Sequence, residues 1–145
     1  MARRRQAREA ALQLLYQNDI NPDTTEQNAR ETLQGLVSSQ AMREFAWQLY
    51  EGTLTERDTL DSQIEKVAEH WALNRMAATD RNVMRMGIFE MQTIQTPAPV
   101  VLDECIELAK QFGGKESGKF VNGILDQLNP ARALDTDNEN QNAID

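Results

Sequence analysis

The chain reads as all-α, a compact bundle of about seven helices, and three observations carry that reading. Apolar residues recur at three- and four-residue spacing through most of the 145 residues, the spacing that lines up side chains on one helix face. No segment reads as a strand. Turn-forming residues interrupt the pattern at Asn21-Pro22-Asp23, Pro97-Ala98-Pro99, Gly113-Gly114 and Asn129-Pro130, where glycine and proline break helices.

Taken in order, the first helix spans about Arg3 to Asn18, with Ala7, Ala11, Leu14 and Leu15 on one face and Leu12 and Tyr16 widening it. A weaker second helix covers about Thr25 to Ser38, with Ala29, Leu33, Leu36 and Val37 on one side. The third covers about Ala41 to Leu54 and the fourth about Glu56 to His70. The fifth is capped by Thr79 or Asp80 and runs to about Ile94. Val83, Met84, Met86, Phe89 and Met91 make it apolar on most sides, which predicts a central, buried position. Proline suits a first helical turn and cannot continue a helix, so Pro97-Ala98-Pro99 opens a sixth helix. Its stripe Val101, Cys105, Leu108, Phe112 predicts core. Gly113-Gly114 ends it, as left-handed residues commonly do, and Ser117 caps the last helix, whose face is Phe120, Val121, Ile124, Leu125 and Leu128. Residues 1–132 are expected to form one domain, in two helical subdomains of about 1–76 and 77–132. The acidic stretch 133–145 has no periodicity and is expected to be disordered.

Composition excludes several classes of function. Hydrophobic content of 40% and charged content of 26% are those of a globular protein. No apolar run approaches the roughly 18 to 20 residues of a membrane span. The Arg-rich start lacks the apolar segment of a secretory signal. One cysteine excludes an internal disulfide, and one histidine beside it excludes the usual zinc clusters. The expectation is a cytoplasmic protein with no metal or cofactor. Net charge is −8, but it is uneven: Arg3, Arg4, Arg5 and Arg8 precede the first acid, Glu9. An acidic protein is repelled by nucleic acid at long range, while a local basic cluster still neutralises phosphate within the screening length of about 8 to 10 Å.

Most candidate chemistry reads as structure. Gly113 to Lys119 has the spacing of a phosphate-binding loop, but Phe120 stands where Ser or Thr should bind magnesium, and a helix precedes it instead of a strand. Cys105 sits in the apolar stripe and reads as core. His70, near a helix end, reads as structural. Asp103, Glu104 and Glu107 read as a solvated face, with Lys110 in reach of Glu107. No enzyme active site assembles.

The arginine cluster is different. Cations at a helix N-terminus are disfavoured by about 0.3 to 1 kcal/mol each. Either Arg3, Arg4, Arg5 and Arg8 form a solvated, frayed end, or an anion compensates them; four arginines suit bidentate phosphate contact. Lys119 and Phe120 add a cation and an aromatic in the first turn of the last helix. Phe120 is either the first core residue of that helix or a platform for an unpaired base. Gly123, in mid-helix, suggests close approach of another helix or of a ligand backbone.

These segments carry a resemblance. The pieces are Arg3-Arg4-Arg5-Gln6-Ala7-Arg8-Glu9 with Leu14-Leu15-Tyr16, the Asp80–Glu90 helix with Arg85 and Phe89, Asp103-Glu104 leading into Glu107-Leu108-Ala109-Lys110, and Lys119-Phe120-Val121-Asn122-Gly123-Ile124-Leu125-Asp126. From about Arg3 to Leu128 the chain resembles the NusB family of transcription antitermination factors. The resemblance implies two small helical subdomains and no enzymatic activity. It implies an RNA-binding adaptor that recognises the single-stranded boxA element of ribosomal RNA transcripts together with NusE, a small-subunit ribosomal protein. The pair would join an RNA polymerase elongation complex with other Nus factors. Carried over, Arg4, Arg5 and Arg8, with Arg3 adjacent, match the family's arginine-rich RNA contacts, and Lys119 and Phe120 match its RNA-contacting helix start. Tyr16, Asp80 and Glu116 match positions of the NusE interface. Gln6 departs from a position often basic, and Asn18 from one often aromatic. Two other readings stay open: an interaction module of the same fold without RNA specificity, and an RNA-binding module related to ribosomal RNA methyltransferases. A homodimer of the free protein that masks the arginine arm is a further partner the sequence leaves undecided.

Overall fold

The structure is a computed structural model that describes residues 2–69 and 71–130, with side chains from residue 4 onward. The side chain of Arg3, His70 and the stretch 131–145 therefore lie outside the described residues.

Seven α-helices and no strand occur among the described residues: α1 Ala2–Ile20, α2 Glu26–Leu36, α3 Gln40–Thr55, α4 Arg57–Val67, α5 Ala78–Phe89, α6 Ala98–Gly113 and α7 Lys115–Gln127. The all-α expectation is met. A short 3-10 turn, Leu73–Arg75, links α4 to α5. Thr25 caps α2 by accepting from the Asn28 N–H at 3.1 Å, and Ser39 caps α3 by accepting from Met42 at 3.4 Å.

Helix α5 is the central element. It packs against α1, α3, α4, α6 and α7, and every residue from Asn82 to Phe89 is buried. Two glycines permit that crowding. A Cβ on Gly52 of α3 would lie 2.0 Å from the Phe89 ring, and one on Gly87 would lie 2.7 Å from the Cys105 sulfur. Cys105 is core as expected: burial pushes its thiol up to about 12, so no thiolate forms near neutral pH.

Buried polar groups tie the helices together. Arg85 donates to Asp61 on α4 at 2.6 and 3.0 Å and to Asn82 Oδ1 at 3.1 Å, and Asn82 donates to Asp19 on α1 at 2.7 Å. The chain α4–α5–α1 is thus joined by one hydrogen-bonded network whose members satisfy each other.

The structure corrects several local expectations. The expected fifth helix continues to Ile94 but changes to a π-helical turn over Glu90–Ile94. That turn closes at Gln95, which adopts a left-handed φ of 66° and donates to the Glu90 carbonyl at 2.8 Å. Neither Thr79 nor Asp80 caps α5, because the helix already starts at Ala78 and places both in its first turn. Ser117 does not cap α7 either. Gly114, at φ 95°, turns the chain early enough for the helix to begin at Lys115, and the Ser117 hydroxyl donates back to the Gly113 carbonyl at 3.1 Å. The residues with phosphate-loop spacing are therefore a helix–helix joint. Phe112 and Leu36, expected in the core, are exposed. Gly123 has nothing within 4 Å, so no neighbouring helix explains it.

Candidate nucleic-acid interface

The first two turns of α1 carry the arginine cluster, and the fold treats its members differently. Arg8 is 3% exposed. Its guanidinium donates twice to Glu90, at 2.9 and 2.6 Å, and Glu90 is itself buried at the start of the π-helical turn. Burial lowers the pKa of Arg8, but the hydrogen bonds and charge of Glu90 outweigh it and the net direction is upward. Arg8 is thus an internal ion, with its two-pronged donor set occupied by protein.

Arg5 is at the surface. It reaches α6 and donates to Glu104 at 3.0 and 3.1 Å. The hydrogen bond from Arg5 holds the Glu104 carboxyl below its ordinary range. An exposed pair of this kind stabilises little, so a phosphate can compete for Arg5. Arg4 is exposed and lies over the Phe45 ring at 4.9 Å. Arg8 stands over the same ring at 5.4 Å. Phe45 on α3 therefore braces the arm from below.

Lys119 and Phe120 sit in the first turns of α7, away from the arm. A shallow groove of about 240 Å³ runs along α6 from Arg5 past Glu104 and Glu107 to Lys110 and Gln111. The Lys110 stem packs beneath Gly118, where an added Cβ would meet it at 2.7 Å. The groove therefore ends at the start of α7. Lys119 is exposed, with its ammonium 3.8 Å from Glu116. Phe120 is half-buried, packed on the core along one side and edge-to-face with Trp71 on the other. Phe120 is thus a boundary residue, part core and part surface.

The three residues matched to a protein partner do not share one pocket. Tyr16, 48% exposed, lines a pocket of about 320 Å³ with Leu12, Gln13, Thr79 and exposed Phe112. Asp80 and Glu116 line a second cleft of about 230 Å³, together with Trp71, Arg75, Ser117 and Phe120. Thr79 and Asp80 are adjacent, so the two depressions flank the start of α5. Asp80 is buried, and its Oδ1 has no hydrogen-bond partner. Burial pushes its carboxyl up, and the nearby Ser117 hydroxyl offsets this only in part.

Sequence reasoning missed two features. Trp71 is exposed beside Phe120, yet it lies outside any periodic helix, where pattern arguments do not reach. Glu90 is the internal partner of Arg8, and only an acid inside an otherwise apolar helix signalled it. No group of three or more His, Cys, Asp or Glu able to hold a metal occurs among the described residues. No helix there is long and apolar enough to cross a membrane.

The described residues thus combine an all-helical fold, a basic helix start, an exposed aromatic and a separate cleft lined by two carboxylates. The chain belongs to the NusB family, whose model matches residues 5–130. The transcription antitermination protein NusB of Trichlorobacter lovleyi is 41% identical over 129 residues, covering 88% of this chain and 91% of that protein. NusB of Desulforamulus reducens is 44% identical over 126 residues, covering 86% and 88%. Among solved structures, T. maritima NusB superposes with a TM-score of 0.79 at 36% identity, covering 86% of this chain and 88% of that one. A crystal structure of antitermination factors NusB and NusE in complex with dsRNA contains a chain that matches at TM-score 0.80 and 26% identity, with 90% and 98% covered.

Proposed function

We propose that this chain is an RNA-binding adaptor of transcription antitermination, which takes boxA-type single-stranded RNA of ribosomal RNA transcripts together with NusE. In this reading it acts within an RNA polymerase elongation complex beside other Nus factors and carries out no catalytic step. The observation that carries the reading is the family match over residues 5–130 combined with Arg4 and Arg5 standing exposed at the start of α1. The solved NusB–NusE–dsRNA assembly supports both an RNA and a NusE partner.

The roles divide by accessibility. Arg4 and Arg5, with Arg3 beside them, supply phosphate contacts that give salt-dependent affinity and little sequence information. Arg8 holds the arm to Glu90 and acts on RNA through the position of its neighbours. Lys119 and Phe120 engage the RNA where the α6 groove ends, and unpaired bases can stack there. Tyr16, Asp80 and Glu116 face NusE, where carboxylates suit a basic ribosomal protein.

Fluorescence anisotropy tests this. A labelled boxA-like strand is compared with a scrambled strand and with a duplex, with and without NusE, across a salt series. Tighter binding of the boxA strand that improves with NusE is expected. Equal, weak binding to all three RNAs in every condition would overturn the reading and leave an interaction module of the same fold.

A further inference from the structure

We propose that Trp71 is a base-stacking residue, and that its exposed side, in the cleft it lines with Phe120, takes one unpaired nucleobase of the bound RNA. This rests on the RNA-binding reading above. The indole is 59% exposed, a large apolar surface to leave in water. It is nonetheless placed by the fold. Trp71 lies four residues past the end of α4, its backbone N–H donates to the Ala68 carbonyl at 3.2 Å, and the 3-10 turn Leu73–Arg75 comes just after it. Its ring meets Phe120 edge-to-face, with centroids 6.3 Å apart and planes at 72°. The contact with Phe120 still leaves more than half of the indole in water, and a purine or pyrimidine can lie flat on an exposed ring face.

The charges around the cleft favour a nucleotide in one orientation. Arg75 lines the cleft, and no ion pair among the described residues engages it. Lys119 is exposed next to Phe120. Together they offer a phosphate a position at the rim. Asp80 and Glu116 also line the cleft, and Glu116 lies 3.8 Å from the Lys119 ammonium; their charge disfavours phosphate inside the cleft and leaves the interior to the uncharged base. Trp71 and Arg75 also line the wider groove beside Glu69 and Arg81, so the strand has a path onward past the indole. The cleft continues the Phe120 surface, which extends the RNA footprint from the α6 groove across the start of α7 to the α4–α5 link.

The experiment uses the full chain, with and without NusE, and a set of boxA-like RNAs in which one nucleotide at a time is made abasic. Trp71→Ala should weaken binding of the intact RNA by about 5- to 150-fold, the range of one base–aromatic stack, while Trp71→Phe keeps most of the affinity. In the wild type, one abasic position should cost a similar factor; in Trp71→Ala that same position should cost nothing further. This loss of additivity is a readout that a merely structural tryptophan would not move. Melting temperatures establish that both variants fold. If the wild type binds boxA RNA and Trp71→Ala binds every RNA of the set equally well, this inference fails and the adaptor reading stands. If Trp71→Ala loses NusE and keeps RNA, the cleft takes protein and the inference is wrong. If the wild type binds none of the RNAs, both fall.

Discussion

Two regions of this molecule handle charge in opposite ways. At the start of α1, the described arginines are answered from within: Arg8 by Glu90, Arg5 by Glu104, Arg4 by the Phe45 ring. At the joint of α5 and α7 the groups are left unanswered: Asp80 Oδ1 has no hydrogen bond, Arg75 no ion pair among the described residues, and Trp71 stands in water. The difference teaches that a count of basic residues does not locate a binding surface. Burial and pairing decide which charges are available. The arm that looks most basic in the sequence has one cation wholly committed, whereas the acidic joint has more unspent bonding capacity.

The sharpest way to break this comparison is to unpair Arg8. Glu90→Ala leaves a buried guanidinium with no counter-charge and should cost about 3–5 kcal/mol, read by urea unfolding. Replacing both partners with apolar residues, Arg8→Met with Glu90→Leu, should recover most of that loss, because neither then needs a partner. If Glu90→Ala unfolds at the wild-type urea midpoint while losing RNA, Arg8 is a surface contact and the division of the arm is wrong. A smaller effect is expected at Arg5. Arg5→Ala should weaken binding to all RNAs and reduce the salt slope by about 0.7, one phosphate contact on a single strand. Glu104→Gln should do the reverse, since it releases Arg5 for RNA. An unchanged affinity on Glu104→Gln would mean that the pair does not compete with phosphate.

This asymmetry also bounds what could be read from the sequence. The seven helices were legible because each has a three- or four-residue apolar rhythm, and α5 could be placed at the centre because it is apolar on most sides. Phe112 was misread because it continues the rhythm of α6 past the point where α5 and α7 still cover it; periodicity marks a face but not where its cover ends. The stop at Asn129-Pro130 is local and readable, whereas the Thr25 cap was read as part of its helix and the Ser117 cap failed because Gly114 already turns the chain. Arg3, Arg4, Arg5 and Arg8 look alike in sequence. Only a contact 82 residues away, between Arg8 and Glu90, separates the buried one from the rest, and no single-sequence pattern encodes that pairing.

Asp80 offers the mildest test and links the two regions through pH. Its folded-state carboxyl titrates above its ordinary value of 3.8, through burial. The folded protein therefore holds the proton more tightly than the unfolded chain, so stability falls as pH rises through the folded-state pKa. The penalty is absent below about 3.8 and fully present once the pH has passed the folded-state value. Asp80→Asn removes it, so the variant should melt higher than the wild type at neutral pH, and the advantage should shrink as the pH is lowered. A constant advantage at every pH would show that the gain comes from packing and not from the buried charge. A carboxylate kept where it destabilises the fold calls for a reason outside the fold. If that reason is the NusE contact proposed for Asp80, the same substitution that raises the melting temperature should weaken NusE binding. Titrating NusE onto the wild type and the variant under one set of conditions reads this. A more stable variant that still binds NusE fully would remove Asp80 from the partner surface and leave Tyr16 and Glu116 to carry it.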